Sequence, residues 1–394
     1  MTRADVCVIG AGVAGIACAQ GLSRLGMSVV LIDRMHPMAD CLKAEKLGGE
    51  AIPALLRLGF KSSVAKTLTP LFDVDVYFGT RALGTQRIDP PEGATRYHLL
   101  INDLRANLDS RIDFRPRVRT LSVESRADVV NVLTDGASVE CRLAIVATGE
   151  ARELLDKLGA ASEREFPEQV FVSAFDMQGT MRGDSVTFHR PVAGGPVAYA
   201  TFFRRGDGLR ANIFCPGPIS DAWQRDLRIR PLEVLAQRNR AIARVAAGWR
   251  ITSAVMIRKM HVTRLRPPSL ARVVVLGDAA SAIDPSGSGG LSLALRAAEL
   301  LRSEYAPAWL GSDDITADAI ARFYEDEQLT RAVDQYFARG RYLFALNHDR
   351  SLRGVLRRLR YAATQRRNAR TKSEARPSPP WSESEAPLFE QDVQ

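Results

Sequence analysis

The sequence predicts an α/β protein of two interleaved lobes followed by helices, and three observations carry that prediction. A glycine-rich turn near the N-terminus lies between an apolar strand and a helix. A second glycine-rich loop, far downstream, also joins a buried strand to a helix. Between about 166 and 256 the chain changes to short alternating segments broken by Gly and Pro, the pattern of an antiparallel sheet. At 394 residues the chain exceeds the size at which one hydrophobic core keeps growing, so two lobes are expected rather than one.

The first lobe opens with Val6 to Ile9, turns through Gly10 to Gly15, continues as a helix from Ile16 to Leu25 and returns as the strand Val29 to Ile32. This is a Rossmann-like βαβ unit of the expected length. Helical periodicity follows at Ala51 to Leu58 and again at Ile101 to Leu108. The strands Thr120–Ser125 and Val129–Thr134 lead through an Asp135-Gly136 turn to a buried strand, Leu143 to Ala147. The sheet lobe is expected to contain Val170–Phe175, Ser185–His189, Val197–Phe203 and Leu209–Phe214. Val273 to Leu276 then reads as a buried strand, Leu291 to Leu301 as a helix, and Thr316 to Tyr361 as further helices. The expected division is 1–72, 97–163 and 257–310 for the dinucleotide-binding lobe, 73–96 and 164–256 for the sheet lobe, 311–372 for the helical region and 373–394 for a disordered tail rich in Pro, Ser and acidic residues.

Composition narrows the class. A hydrophobic fraction of 46% and a charged fraction of 25% are those of an ordinary globular protein, not of a disordered, collagen-like or coiled-coil chain. The five cysteines are widely spaced and form no C-x-x-C pair, which fits a reducing compartment. The histidines at 36, 98, 189, 261 and 348 do not cluster at metal-ligand spacing, so no metal site is expected. Asp5 and three glycines spoil the N-terminal apolar stretch as a secretory signal, and no other run is long enough to span a bilayer. A cytoplasmic protein is therefore expected.

The formal charge of +9 is concentrated. Arg350, Arg353, Arg357, Arg358, Arg360, Arg366, Arg367, Arg370 and Lys372 share one stretch with no acidic residue, while Leu352, Val355, Leu356, Leu359 and Ala363 recur at helical spacing. Such a helix either docks on anionic lipid or an acidic carrier protein, or packs its leucines on the body and leaves its arginines solvated. Nucleic acid is not expected as a partner, because no aromatic-interleaved patch or known motif accompanies the charge.

The glycines carry the chemistry. In the first turn Gly10 permits the tight bend, Gly12 lets the backbone approach a pyrophosphate, and Gly15 lets the helix pack on the strand. The helix N-terminus at Val13 and Ala14 offers N–H groups to phosphate, and Asp33, followed by Arg34, stands where ribose hydroxyls are bound. In the second constellation a strand ends in Gly277-Asp278, placing a carboxylate for ribitol, and a loop containing Pro285, Gly287, Gly289 and Gly290 feeds a helix at Leu291. Its N–H groups and dipole suit the negative charge of a reduced flavin. A nicotinamide-only dehydrogenase has no use for this second loop, so FAD is the expected cofactor. His189, Tyr199 and Arg210 lie on expected strands of the sheet lobe. They are the candidates for touching substrate, with Arg204 and Arg205 beside them, against the ordinary reading of satisfied sheet residues and solvated strand-end arginines.

Both motifs, in this order, resemble the FAD-dependent monooxygenases of the para-hydroxybenzoate hydroxylase fold and their relatives, the geranylgeranyl reductases and flavin-dependent halogenases. The resemblance covers residues 3 to 365 in layout and is specific over 6 to 34 and 272 to 295. It implies an FAD lobe assembled from several segments and hydroxylation of an aromatic or electron-rich small molecule, free or carrier-bound, by O2 through a flavin C4a-hydroperoxide. A reductase or dehydrogenase of the geranylgeranyl reductase type, or a flavin-binding protein without turnover, is the alternative. It also places Lys43 where many hydroxylases carry a flavin-contacting arginine, and Gly149 where they carry Asp-Gly. Here that segment reads Thr148-Gly149-Glu150, which leaves open whether NAD(P)H or a separate reductant loads the flavin. Ser292 replaces the family asparagine after the flavin loop, and Asp284 before Pro285 is similar to the reductase and halogenase branch. The W-x-W-x-I-P signature of halogenases is missing.

Overall fold

The computed structural model describes residues 2–192, 195–266, 270–287 and 289–370, together with 379 and 381. Its first sheet forms because the N-terminal strand Thr2–Ile9 is apolar on both faces. Val6 and Val8 enter one core while Cys7 and Ile9 enter another, as a parallel strand covered on both sides requires. Thr2–Ile9 lies between Val29–Asp33 and Val139–Val146, parallel to both. Asp113–Pro116 and Val273–Val275 extend the parallel set. Val130–Thr134 and Thr120–Ser125 add an antiparallel pair at the other edge.

The helix Val13–Arg24 is buried along nearly its whole length and packs beside Gly290–Leu300. The helices that follow the two glycine loops are thus neighbours, and both loops open at the same end of the sheet.

The second sheet is larger. In order it runs Ser281–Ala282, Met256–Leu265, Ser162–Gln178, Gly208–Pro216, Tyr199–Arg205, Ser185–His189, Thr69–Phe78, Arg81–Ala94 and Lys46–Leu47. Its pairings are antiparallel except between Ser185–His189 and Thr69–Phe78. One face is covered by the helices Asp221–Ile229, Pro231–Arg238 and Arg240–Val245, which bury Leu227, Leu235 and Ile242 against Phe175, Phe188 and Phe202. Alternation alone did not anticipate these helices. By sheet membership Lys46–Leu47 and Met256–Leu265 go with the larger sheet, whereas the sequence reading gave their segments to the dinucleotide lobe.

The C-terminal region is helical as expected, with Ala317–Glu325, Glu327–His348 and Leu352–Arg370. Among the described residues no helix is long and apolar enough to cross a membrane. Most of the tail 373–394 lies outside the described residues, but Trp381 is buried in the main core, which contradicts disorder at that position.

Candidate functional site

One cavity of about 830 Å³ runs from the N-terminal glycine turn to the larger sheet. Gly10, Gly12, Val13 and Ala14 form one end, beside Asp33 and Arg34. Lys43, Gly149, Gly277 and Asp278 line its middle. Pro285, Gly289, Gly290 and Leu291 border the passage toward Val172, Tyr199 and Phe214 of the sheet lobe. Gly15 and Gly287 stand outside the lining.

The glycines separate by physical role. Gly10 has φ +103°, and a Cβ there would lie 2.4 Å from the Ala147 carbonyl oxygen. A Cβ at Gly15 would lie 1.8 Å from the Gly10 carbonyl oxygen. Both are therefore demanded by the fold. At Gly12, with φ −80°, a Cβ would meet only the Tyr97 hydroxyl, at 3.6 Å. Nothing in the protein requires a glycine there, and the space it leaves belongs to the cavity. The second loop repeats this division. Gly289 is fixed by φ +128° and by the Tyr336 ring, 2.0 Å from its would-be Cβ, whereas Gly290 has room, with nothing nearer than 3.7 Å. Two roomy glycines on one cavity, each at a helix N-terminus, form a cradle that fits a dinucleotide at one end and an anionic ring edge at the other.

Asp33 is held in place by its neighbours. Its carboxylate accepts hydrogen bonds from the N–H groups of Ala11 (2.6 Å) and Met35 (2.7 Å). The guanidinium of Arg105 donates to it at 2.9 Å and also to the carbonyls of Ala11 (2.9 Å) and Met35 (2.7 Å). Arg105 was not singled out from the sequence. The available signal was an arginine on the apolar face of a helix, level with Ile101, Leu104 and Leu108.

Lys43 and Asp278 meet at 2.8 Å in the middle of the cavity. Burial alone would push the Lys43 ammonium down, but Asp278 and then Tyr97 outweigh it and hold the pKa above its ordinary value. Glu150, in the segment that departs from the family pattern, pairs with Arg258 at 2.6 Å. Ser292 donates its hydroxyl to the Gly48 carbonyl at 3.3 Å. Asp284 faces Gly340 of the long helix instead of the cavity, and burial raises its pKa.

The sheet-lobe candidates divide. Tyr199 lines the cavity, with its hydroxyl 3.3 Å from the Thr187 hydroxyl. Asn212, also in the lining, has a buried Oδ1 without a partner. His189 lies behind Tyr199, outside the lining, and its Nε2 meets the Tyr361 hydroxyl at 2.7 Å. Burial pushes its pKa down to about 4. Arg210 is not free for a substrate either. Its guanidinium donates to Glu45 at 2.9 Å and to Asp176 at 3.3 Å, 3% exposed. Arg205 shares both partners, and Arg204 binds the Gly183 and Met181 carbonyls. Two of the three catalytic candidates are thus structural.

A family model described as pyridine nucleotide-disulphide oxidoreductase matches residues 4–173. Menaquinone reductase from Mycolicibacterium smegmatis is 26% identical, covering 78% of this chain and 80% of that protein. Among solved structures, p-nitrophenol 4-monooxygenase from Pseudomonas putida superposes with a TM-score of 0.74 at 18% identity, covering 94% of this chain and 95% of that one. The flavin-dependent halogenase CmlS gives a TM-score of 0.75 at 16% identity, covering 94% and 72%. A flavoprotein/dehydrogenase from Cytophaga hutchinsonii gives 0.71 at 13% identity, covering 92% and 93%. The fold is that of the flavin-dependent hydroxylases and halogenases.

Proposed function

We propose that this chain, an FAD-dependent oxidoreductase, is a monooxygenase acting on an apolar, ring-bearing small molecule bound against the larger sheet. The cavity of about 830 Å³ carries this reading: its dinucleotide end is polar and glycine-lined, and its far end is walled by Val172, Phe214, Met256 and Met260. When bound and reduced, FAD supplies the electrons that activate O2 for transfer to an electron-rich ring. The protein's residues do the rest. Asp33 and Asp278 hold the two sugar-like portions of the cofactor. The N-terminus of Gly290–Leu300 offers backbone N–H groups where negative charge develops. The unpartnered Asn212 Oδ1 accepts a hydrogen bond from a substrate hydroxyl and, with Tyr199, fixes which edge of the ring faces the loop. The apolar walls exclude water.

A reductase of an isoprenoid-type substrate is the second reading, favoured by the menaquinone reductase relative and by Glu150 in place of the usual motif. Photoreduced enzyme mixed with aerated buffer in a stopped-flow instrument separates the two. A transient absorbance distinct from both reduced and oxidised flavin is expected of the monooxygenase. Single-phase return to oxidised flavin, together with anaerobic turnover of menaquinone, would establish the reductase instead.

A further inference from the structure

The C-terminal helix Leu352–Arg370 faces the wrong way for a water-soluble protein. It holds the body with its polar and small residues: Tyr361 meets His189 at 2.7 Å, Gln365 accepts from Gln86, and Ala369 packs on Gly84. Its apolar side is left outside, with Leu352 84%, Val355 42%, Leu356 54% and Leu359 62% exposed. At 3.6 residues per turn these four and Ala363 fall in one sector about 100° wide. Arg353, Arg360 and Arg367, seven residues apart, form a row along one border of that sector and are all exposed. Of the two options open from the sequence, packing of the leucines on the body is excluded by this orientation.

Charge decides what covers the stripe. No acidic residue occurs between Arg350 and Lys372. Among the described residues, Arg350, Arg353, Arg360 and Arg367 have no acidic partner, unlike Arg357, which pairs with Asp349 at 2.9 Å. A second copy of this chain would bring a like-charged row against it. At the start of the helix a cavity of about 270 Å³ is lined by Arg190, Pro196, Pro216, Asn347, His348 and Arg350. Burial, and then repulsion from Arg358 and Arg350, holds the Arg190 pKa down, so this corner has unbalanced positive charge.

We infer that the outward face of Leu352–Arg370 is a docking surface for an anionic lipid bilayer: Leu352, Val355, Leu356 and Leu359 enter the headgroup boundary, and Arg353, Arg360 and Arg367 meet lipid phosphates. An interfacial helix needs this combination of a narrow apolar stripe and a basic border. The inference is independent of which redox reaction the cavity performs.

Co-sedimentation of the full flavin-loaded chain with vesicles tests it. Binding to vesicles of mixed phosphatidylglycerol and phosphatidylcholine, and not to phosphatidylcholine alone, is expected, with steep weakening as salt rises. Arg353→Gln/Arg360→Gln/Arg367→Gln should bind roughly a hundredfold more weakly, and Leu356→Ser/Leu359→Ser roughly tenfold more weakly with the charge intact. Unchanged flavin content in both variants keeps the comparison one of surfaces. The inference is overturned by no binding of the unmodified chain or by equal binding to uncharged vesicles. It is also overturned by unchanged binding in the leucine variant, which would match an acidic protein partner competing through charge alone. Binding that appears only when Glu383, Glu385, Glu390 and Asp392 are changed to their amides in the full chain would overturn the inference and assign the face to the chain's own acidic tail.

Discussion

At the scale of single residues, the space around each glycine distinguishes a ligand requirement from a folding requirement. Gly12→Val adds a side chain at the cavity lining whose Cβ meets only the Tyr97 hydroxyl within the protein. It should therefore leave the apoprotein's thermal midpoint nearly unchanged while abolishing FAD retention. Gly15→Val drives a Cβ into the Gly10 carbonyl and should yield insoluble protein. Chromatographic flavin content beside a melting curve checks both; a folded Gly12→Val variant that kept its flavin would show that the cofactor does not occupy the space that glycine leaves. Asp278→Ala removes the charge-assisted contact proposed for the cofactor and also strips Lys43 of its counter-ion at 2.8 Å. FAD affinity should fall by about 1–3 kcal/mol, read by fluorescence titration of apoprotein. An unchanged dissociation constant would remove Asp278 from the cofactor site.

At the scale of elements, the strands and helices of the dinucleotide lobe were legible because propensity, periodicity and turn chemistry agree there: the helix expected from Leu291 to Leu301 is Gly290–Leu300, and Thr120–Ser125 is a strand with those bounds. The helices between 221 and 245 were not read, since their short amphipathic turns resemble broken alternation until the sheet face they cover is known. His189 illustrates the same limit, because strand alternation places it inward but not on which side of Tyr199. Its real role is to clasp the C-terminal helix through Tyr361, and this clasp titrates. Burial lowers the folded His189 pKa to about 4 from the ordinary 6.5. Between those values the unfolded chain binds a proton that the folded chain refuses, so stability is full above pH 6.5 and is lost as pH falls toward 4. By pH 5 the loss from this group should be about 2 kcal/mol. Urea midpoints at pH 7 and pH 5, for the parent and for His189→Gln, measure it; equal pH dependence in the two proteins would deny His189 that part.

At the scale of the whole molecule, the question is what keeps a cofactor lobe and a substrate sheet in register across one shared cavity. Glu45 precedes the short strand Lys46–Leu47 at the edge of the larger sheet, and its carboxylate receives both Arg205 and Arg210 of that sheet. Asp176 completes the cluster and reaches Arg96, just ahead of the helix Tyr97–Ala106 that braces Asp33 through Arg105. None of this was legible, because nothing in Ala44-Glu45-Lys46 signals burial, and Arg210 was read as either a substrate contact or a solvated strand-end arginine for want of its partner. The cluster links the dinucleotide end to the sheet through ion pairs whose arginines are nearly inaccessible, 8% and 3% exposed. Removing one carboxylate from such a cluster strands buried positive charge, so Glu45→Gln should lower stability by about 3–5 kcal/mol. Glu45→Gln/Arg210→Met should recover part of that loss, because the stranded charge is gone as well. The lobes should also come apart in sequence: flavin fluorescence and far-ultraviolet ellipticity are expected to change together on urea unfolding of the parent, and flavin release is expected to come first in Glu45→Gln. A Glu45→Gln variant within about 1 kcal/mol of the parent, with its two transitions still coincident, would show that apolar packing alone aligns the lobes, since exposed ion pairs are worth no more than that.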